Sequence, residues 1–405
     1  MHRPLDDLRA TSARRHVILQ ACIVLSLAVW LLASVGLAEE PAEIMVISTP
    51  NGGIQPQAVS DQQGAIHLLY FKGEPANGDI FYVHLDRGQE AFSAPVRVNS
   101  QPGSAIAIGT IRGALIALGR EGRIHVGWNG SGPARPKNPI QGSPLLYTRS
   151  TENGSTFEPQ RNLMQHTFGL DGGGSVAADA AGNVFVAWHG RETGAVDGEM
   201  GRKVWVARSQ DDGKTFAPEQ PALASETGAC GCCGTRALAD RQGNLYMLYR
   251  AAGAGVDRDM VLLTSRDHGQ TFAGEPIDKW KYNQCPMSSE SLIEGRAGVL
   301  AAWETKGQVH FSRLDPRTMK ALTNVTPAGA AGNRKHPALA VNERGETLMA
   351  WAEGTGWQKG GALCWQLFDA SNKPVGRAGR TEDGVSVWSM PTAVARPDGG
   401  FLIIH

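Results

Sequence analysis

One strand pattern recurs seven times along this 405-residue chain, and its spacing constrains the fold more than any other feature. Each copy has an acidic or polar turn, a glycine, and then an apolar strand that often ends in an aromatic residue. The copies begin at Asp61, Arg120, Asp179, Asp240, Glu294, Asn342 and Arg396. Since about 45–60 residues separate them, each repeat has the length of one four-stranded blade of a β-propeller.

A second motif marks a tight turn in three of these repeats. Residues 209–216 and 265–272 read S-x-D-x-G-x-T-F, and residues 150–157 form a looser copy with Glu152 in place of Asp. In such a turn the Asp carboxylate can cap backbone N–H groups, the glycine supplies a positive φ, and the Phe anchors the turn in its blade. The residues expected to build these turns are Ser150, Gly154, Phe157, Ser209, Asp211, Gly213, Phe216, Ser265, Asp267, Gly269 and Phe272.

These boxes resemble the Asp-box, or bacterial neuraminidase (BNR), repeats of sialidase-like β-propellers. The resemblance implies an all-β chain in which residues 39–405 form a single propeller of four-stranded blades. Sialidases have six blades, whereas the repeat count favours seven. Six complete blades fit between Gln55 and Arg380, and the last copy, at 388–405, supplies two strands. Strand 44–47 could pair with them and close the ring, which would remove exposed sheet edges.

The first 38 residues are typical of a secretory signal. Arginines precede an apolar stretch from Val17 to Leu37, which ends in the small residues of Gly36-Leu37-Ala38. This pattern predicts cleavage after Ala38. The stretch is also long enough to span a bilayer, which takes about 20 residues, so an uncleaved anchor is the alternative. We therefore expect an exported protein, periplasmic or extracellular, that meets a membrane only if this segment is retained.

The charge balance excludes one class of partner. Lys plus Arg and Asp plus Glu each number 39, and hydrophobic residues make up 41% of the chain. The even balance argues against a nucleic-acid binder that relies on bulk positive charge. The hydrophobic content suffices for a sizeable core and argues against overall disorder.

The cysteines form the most unusual local feature. Cys230-Gly-Cys232-Cys233 leads into the first strand of the fourth blade, Cys285 leads into the next blade, and His336 holds the equivalent place one blade later. Three interpretations remain open. The cysteines form disulfides, as an exported location favours; they bind Cu or Zn as thiolates, with no cofactor otherwise expected; or they are inert buried thiols. Some bacterial sialidase-like proteins of unassigned role carry a similar C-x-C-C segment followed by W-x-x-x-x-C-P, as in residues 280–286 here.

The resemblance also implies a chemistry that this chain matches only in part. Sialidases bind the substrate carboxylate with three Arg, attack the sugar with a Tyr paired with a Glu, and use an Asp as acid. The first Arg stands in an [F/Y]-R-I-P motif, whereas the corresponding segment here, 51–56, has no Arg. Polar residues in the loops between the second and third strands of the blades, and one loop Tyr, are the remaining catalytic candidates: Arg191, Glu192, Arg250, Asp257, Arg258, Asp259 and Tyr282.

Three functions fit this sequence. The first is a glycosidase-type, exo-sialidase-like enzyme whose site lies at the mouth of the propeller channel, with a glycan or sugar acid as ligand. The second is a non-catalytic propeller that binds a glycan or a protein. The third is a metal-binding propeller built on the cysteine segments. Long loops on a rigid scaffold place the site on the face opposite the Asp boxes in every case.

Overall fold

The computed structural model describes residues 41–151, 155–223 and 227–405. The predicted signal segment, 1–38, and Gly154 of the first Asp box lie outside the described residues. Within the described residues there is no helix with the length and apolar character needed to cross a bilayer. The helices assigned there are three single 3₁₀ turns, Pro50–Gly52, Arg120–Gly122 and Gly253–Gly255.

Twenty-seven strands form seven separate sheets, each of which is one blade. Strand β1 (Ile44–Ile47) comes first; blade 1 then contains β2 (Ile54–Ser60), β3 (Ile66–Lys72), β4 (Asp79–Leu85) and β5 (Val96–Arg97), and blade 2 contains β6 (Leu115–Leu118), β7 (Ile124–Asn129), β8 (Leu145–Arg149) and β9 (Arg161–Asn162). Blade 3 contains β10 (Thr167–Phe168), β11 (Ser175–Ala178), β12 (Val184–Glu192), β13 (Lys203–Ser209) and β14 (Gln220–Pro221), and blade 4 contains β15 (Thr235–Ala239), β16 (Leu245–Arg250), β17 (Met260–Ser265) and β18 (Ala273–Asp278). Blade 5 contains β19 (Ser291–Gly295), β20 (Gly298–Thr305) and β21 (Gln308–Arg313); blade 6 contains β22 (Arg334–Val341), β23 (Thr347–Glu353), β24 (Gly361–Phe368) and β25 (Pro374–Val385); and blade 7 contains β26 (Thr392–Ala395), β27 (Phe401–Ile404) and β1.

The blades close into a ring of seven, as the repeat count predicts. Their innermost strands contact one another in the order β2, β6, β11, β15, β19, β22, β26 and back to β2. The predicted closure is confirmed, because β1 pairs in parallel with β27, with Ile44 opposite Phe401 and Ile47 opposite Ile404. Blade 7 has the three strands expected from the last copy and strand 44–47, whereas blade 5 has three strands in place of the expected four. In blade 5 the chain around Val325 bridges to Phe311 at the position of a fourth strand.

The hydrophobic core is divided among the gaps between blades. Seven buried clusters each combine side chains from two consecutive blades. The tryptophans that end four of the repeat strands, Trp128, Trp188, Trp303 and Trp351, are fully buried there. The indole of Trp303 donates to Asp278 Oδ2 at 2.8 Å, and that of Trp188 donates to Thr167 Oγ1 at 3.0 Å. The aromatic strand ends therefore join neighbouring blades while their polar edges stay hydrogen-bonded.

The two complete Asp boxes have the predicted turn geometry. Thr271 N–H donates to Asp267 Oδ1 at 2.9 Å, and Gly269 N–H donates to Ser265 Oγ at 2.9 Å. Gly269 has a φ of 72°, in the left-handed region that favours glycine. The same pattern of bonds surrounds Asp211. The Asp boxes thus serve as structural turns on the face away from the loops that carry the candidate site.

The phenylalanines of the Asp boxes pack across blades as well as within them. Phe216, which follows the box of blade 3, contacts Tyr147 of blade 2 edge to face, with ring centroids 4.8 Å apart. Phe157 of blade 2 contacts Tyr82 of blade 1 in the same way, at 5.8 Å. Each such Phe therefore locks its turn against the preceding blade, which extends the sequence prediction of an anchor inside one blade.

Candidate functional site at the channel mouth

The segments that lead into the innermost strands meet around the central channel. We call the ring that they form the channel mouth; it comprises residues 55, 111–113, 171–174, 230–234, 286–290, 336–337 and 388–390. A cavity of about 20 Å³ beneath it is lined by residues that include Gln55, Gly113, Gly174, Gly234, Ser289 and Met390. Because a volume of this size holds about one water molecule, the channel is nearly closed at this level. Towards the Asp-box face it widens to a cavity of about 550 Å³.

Several residues of the mouth have an unusual backbone conformation. Gln55, His336 and Trp388 have φ angles of 54°, 54° and 62°, and Met287 has one of 50°. Non-glycine residues rarely adopt the left-handed region, and such strained residues cluster at functional sites. The strain is held by specific bonds: Gln55 Nε2 donates to the carbonyl oxygen of Trp388 at 2.8 Å, and Gln55 N–H donates to Ser389 Oγ at 3.0 Å.

Two tryptophans lie on the outer side of this ring. Trp357, in the loop between β23 and β24, is 55% exposed, and its ring meets that of Trp388 nearly at right angles with centroids 4.7 Å apart. A Cβ placed on Gly109 would lie 3.6 Å from the Trp357 ring and 3.4 Å from Arg112 Nη1. Trp357 therefore reaches from blade 6 to the segment that leads into blade 2. We call Trp357 and Trp388 the tryptophan platform.

A charged pair lies beside the platform. Arg112 forms an ion pair with the Asp171 carboxylate and also donates from Nε to the Asp171 carbonyl oxygen at 2.7 Å. Both side chains keep some contact with solvent, 22% for Arg112 and 39% for Asp171. Asn129 Nδ2 donates to the carbonyl oxygen of Gly172 at 2.9 Å. Sequence reasoning missed the platform and this pair, although Arg112 and Trp388 each stand a few residues before an innermost strand.

Two of the predicted catalytic arginines lie in the interior. The Arg250 side chain is 0% exposed; it donates to the carbonyl oxygens of Arg258 and Glu304 and lies 5.3 Å from the Trp280 ring centroid. The Arg258 guanidinium is 5% exposed and donates to Glu199 Oε2 at 2.8 Å. Since both guanidinium groups are held by protein atoms, their geometry is that of framework residues.

The other predicted catalytic residues form two separate groups. Around Trp280, Asp259 Oδ1 accepts from the Trp280 N–H at 2.9 Å, the Tyr282 ring stacks on Trp280 at 4.5 Å, and Asp257 lines the same open groove. Arg191 and Glu192 lie at the end of β12. There Arg191 pairs with Asp197 at 2.6 Å, and Glu192 pairs with Lys203 at 2.7 Å. The structure therefore gathers five of the seven candidates near Trp280 and leaves two on the rim of blade 3.

The predicted cysteines do come together. Cys230 Sγ lies 3.5 Å from Cys232 Sγ, and the ligand atoms of Cys230, Cys232 and Cys233 all lie within 4.8 Å of one another. A second group, within the same limit, joins Cys230 to Cys285 and the carboxylate of Glu199. All five described cysteines are free thiols. A disulfide would need sulfur atoms about 2 Å apart.

The surroundings of these thiols shift their ionisation in opposite directions. Burial alone would raise the pKa of Cys233, but hydrogen bonds from Cys230 and Cys232 and the Arg250 charge lower that pKa well below its ordinary value. Hydrogen bonds from the same two thiols hold the pKa of Cys285 at about 3. Hydrogen bonds with Cys232, Cys233 and Cys285 raise the pKa of Cys230. For Cys232 the bond with Cys230 lowers the pKa, but the bonds with Cys233 and Cys285 raise it overall. The thiolate, which is the form of cysteine that binds metal ions, is therefore favoured at Cys233 and Cys285.

His336 belongs to the surroundings of the cluster. It is buried, its Nδ1 lies 3.0 Å from Ser289 Oγ, and burial lowers its pKa to about 3. It is outside both groups of candidate ligand atoms found among the described residues. His336 and Cys285 thus hold equivalent positions in adjacent blades, but His336 is buried and Cys285 is exposed.

Comparison with known proteins identifies the fold. No family model and no curated protein matches the sequence. Among solved structures, a Hadza microbial sialidase matches with a TM-score of 0.53 and 14% identity, over 79% of this chain and 66% of that one, slightly less than two thirds of its length. The α-L-arabinanase of Penicillium chrysogenum matches with a TM-score of 0.54 and 12% identity, over 82% and 98% of the two chains. The α-L-arabinofuranosidase of Fusarium graminearum matches with a TM-score of 0.51 and 11% identity, over 82% and 99%. Together with the seven closed blades, these similarities show that the chain has the sialidase-like β-propeller fold, which arabinanases share.

Proposed function

We propose that this protein is an exported carbohydrate-binding propeller whose ligand lies on the channel mouth. The tryptophan platform beside Arg112 and Asp171, in which Trp357 is exposed and Trp388 is half-buried, carries the proposal. Tryptophan faces give large contact areas at low conformational cost, and their apolar rings stack on the C–H faces of sugars. The structural neighbours support a sugar ligand, because the Penicillium enzyme was solved with arabinobiose and the Fusarium enzyme with an iminosugar inhibitor.

The ion pair beside the platform favours a strongly polar sugar. Arg112 Nη1 donates to the Ile108 carbonyl oxygen at 3.0 Å and Nη2 bonds the Asp171 carboxylate, so each nitrogen keeps one further N–H for a ligand oxygen. Asp171 can accept from sugar hydroxyls. The small cavity beneath the mouth leaves no room for a sugar ring, so the ligand lies on the outside of the ring of entrance segments. An extracellular or periplasmic location, as residues 1–38 predict, would expose this face to glycans.

Hydrolysis is the finer form of the same proposal. Glycosidases use two carboxyl groups that flank the scissile bond. At the mouth, Asp171 and Glu199 face each other across Gly231: a Cβ placed on Gly231 would lie 2.9 Å from Asp171 Oδ2 and 3.4 Å from Glu199 Oε1. This pair replaces Arg250 and Arg258 as the group to test for catalysis, because those arginines are enclosed by protein atoms.

Titration with sialyllactose and with arabino-oligosaccharides, followed by tryptophan fluorescence and calorimetry, tests the proposal. We expect Trp357→Ala and Arg112→Met to weaken binding roughly tenfold, about 1.4 kcal/mol each. The matched control is Leu322→Ala, which removes an equally exposed hydrophobic side chain, 53% exposed, outside the mouth. Unchanged affinity in both platform variants, or no binding of any of these sugars by the unaltered chain, would refute the carbohydrate site. Turnover of fluorogenic sialosides or arabinosides that Asp171→Asn abolishes would establish hydrolysis.

A further inference from the structure

The four clustered cysteines are held in place by backbone contacts from three blades. Cys230 N–H donates to the Arg250 carbonyl oxygen at 2.8 Å, at the end of β16. Gly231 N–H donates to Glu199 Oε1 at 2.6 Å, which ties the segment to the loop of blade 3. Gly234 N–H donates to the Ser288 carbonyl oxygen at 2.9 Å, in the segment that carries Cys285. The sulfur positions are therefore preorganised by the propeller itself.

The buried Arg258 side chain bonds both to Glu199 and to the backbone next to Cys285. Arg258 Nη2 donates to Glu199 Oε2 at 2.8 Å, and its Nε donates to the Gln284 carbonyl oxygen at 3.2 Å, one residue before Cys285. Arg250 is buried nearby. Arg258 is paired with Glu199 and Arg250 with Glu304, so the two arginines act mainly as a rigid frame around the sulfur atoms.

Two buried polar side chains without a full set of hydrogen bonds lie beside the segment that carries Cys230, Cys232 and Cys233. Glu290 is 1% exposed, and neither of its carboxylate oxygens has a hydrogen-bond partner among the described residues. His189 Nε2 is also buried without a partner in the described part of the chain. It lies beside the backbone carbonyl oxygen of Cys233, because a Cβ placed on Gly172 would meet that oxygen at 2.3 Å and His189 Nε2 at 2.6 Å. Buried polar groups are normally paired, and Glu290 lines the cavity beneath the mouth, which holds about one water molecule. The case for a metal ion therefore rests on the positions of the sulfur atoms.

The arrangement of the sulfurs favours one class of ion. Cys230, Cys232 and Cys233 form a trio, whereas Cys285 groups with Cys230 and Glu199, so the four sulfurs do not form one mutually close set. A structural zinc site needs four ligands in a closed tetrahedron. Thiolates in smaller numbers suit Cu(I), a soft ion.

We propose that Cys230, Cys232 and Cys233 bind one Cu(I) ion at the channel mouth. Cys285 and Glu199 form the solvent-facing position through which the ion arrives and leaves. Each ligating cysteine that is still protonated gives its proton to solvent as its sulfur–copper bond forms, and no electron is transferred because the ion is supplied as Cu(I). Cys285 is the exposed cysteine of the four, which fits an exchange position, while Cys233 is fully buried. This site shares Glu199 with the carboxyl pair proposed for hydrolysis, but it lies apart from the tryptophan platform, and its test does not depend on sugar binding.

Anaerobic titration of the reduced full-length chain with Cu(I), in competition with a chromophoric Cu(I) chelator, tests the site. We expect one tightly bound ion per chain and an affinity loss of at least about tenfold in Cys232→Ser and Cys233→Ser. Cys364→Ser is the matched control, because Cys364 is also buried but lies alone on β24. Circular dichroism and thermal melting of each variant confirm that it is folded.

Cys285→Ser gives a second readout that does not require a change in the interior. It should retain the stoichiometry of one ion while the chelator removes copper several-fold more slowly, since the exchange position is lost. The proposal would be overturned if the unaltered chain bound Cu(I) no more tightly than Cys232→Ser does. It would also be overturned if all four cysteines together bound Zn(II) more tightly than Cu(I). A third contrary result is the same rate of copper removal from Cys285→Ser as from the unaltered chain. Thiol titration of the oxidised protein identifies disulfides, and a chain that binds no Cu(I) even after their reduction would also refute the site.

Discussion

Val46 lies opposite Ile403 where the first strand of the propeller joins the last. The contact is parallel, and Val46 packs against the cluster between blades 6 and 7, which contains Ala393 and Phe401. Met45, one position earlier, points to the other side and is 41% exposed. One short strand from the start of the propeller therefore completes blade 7 and joins the two ends of the ring.

Placing a charge on the inner side of this strand should open the ring. We expect Val46→Asp to lower the free energy of unfolding by about 1–3 kcal/mol, because an aspartate there is half-buried among apolar side chains without a partner. Met45→Asp, in the same strand but on its exposed side, is the control and should change stability little. Chemical denaturation of both variants measures the difference. Equal destabilisation by the two variants would mean that the facing of β1 does not matter.

Stability should fall in mild acid, partly because of one histidine. His125 is buried, and burial lowers its pKa below 6.5 despite hydrogen bonding to Asp212. The unfolded chain therefore binds a proton at pH values below about 6.5 that the folded chain does not, so folding weakens as the pH drops. His125→Gln should reduce this slope by up to about 1.4 kcal/mol per pH unit, measured by urea unfolding between neutral and mildly acidic pH. His84→Gln, at a side chain that is 37% exposed, is the control. A slope unchanged in His125→Gln would contradict the assignment.

The architecture was predictable because each of its determinants is local. The turn of an Asp box, such as Ser265 to Phe272, closes through bonds between residues at most four positions apart, so its motif carries the geometry. The repeat period then fixes the number of blades. Even the closure by β1 follows from counting, since the last copy has two strands and needs a partner.

The site was harder to predict because it depends on contacts between distant segments. Arg250 and Arg258 have the composition of a polar active-site loop, but the fold turns both guanidinium groups inward, onto carbonyl oxygens and Glu199. The sequence gives no sign of that direction. Trp357 and Trp388 are 31 positions apart and meet only because blades 6 and 7 adjoin. The cysteines were found because their types are rare and their positions repeat with the blade.

The interblade tryptophans should contribute through their polar edge as well as their area. Trp303 is fully buried and its indole N–H is bonded to Asp278. Trp303→Phe keeps most of the apolar contact but leaves that carboxylate without its donor, so we expect a loss of about 1–3 kcal/mol in unfolding free energy. Trp365→Phe is the comparison, because its indole makes no hydrogen bond to the described residues and it is half-buried. Similar losses in the two variants would show that area alone decides.

Arg250 should prove to be structural rather than catalytic. Its guanidinium lies 3.6 Å from Glu304 Oε2 in a fully buried pair, and it packs over Trp280. Arg250→Met leaves Glu304 as an unpaired buried acid, for which removal of one partner costs about 3–5 kcal/mol. The double variant Arg250→Met/Glu304→Gln removes both charges and should recover much of that loss. Denaturation of the single and double variants gives the coupling between the two residues. If Arg250→Met instead kept full stability and lost only sugar binding or turnover, Arg250 would belong to the ligand site that its position in the sequence first indicated.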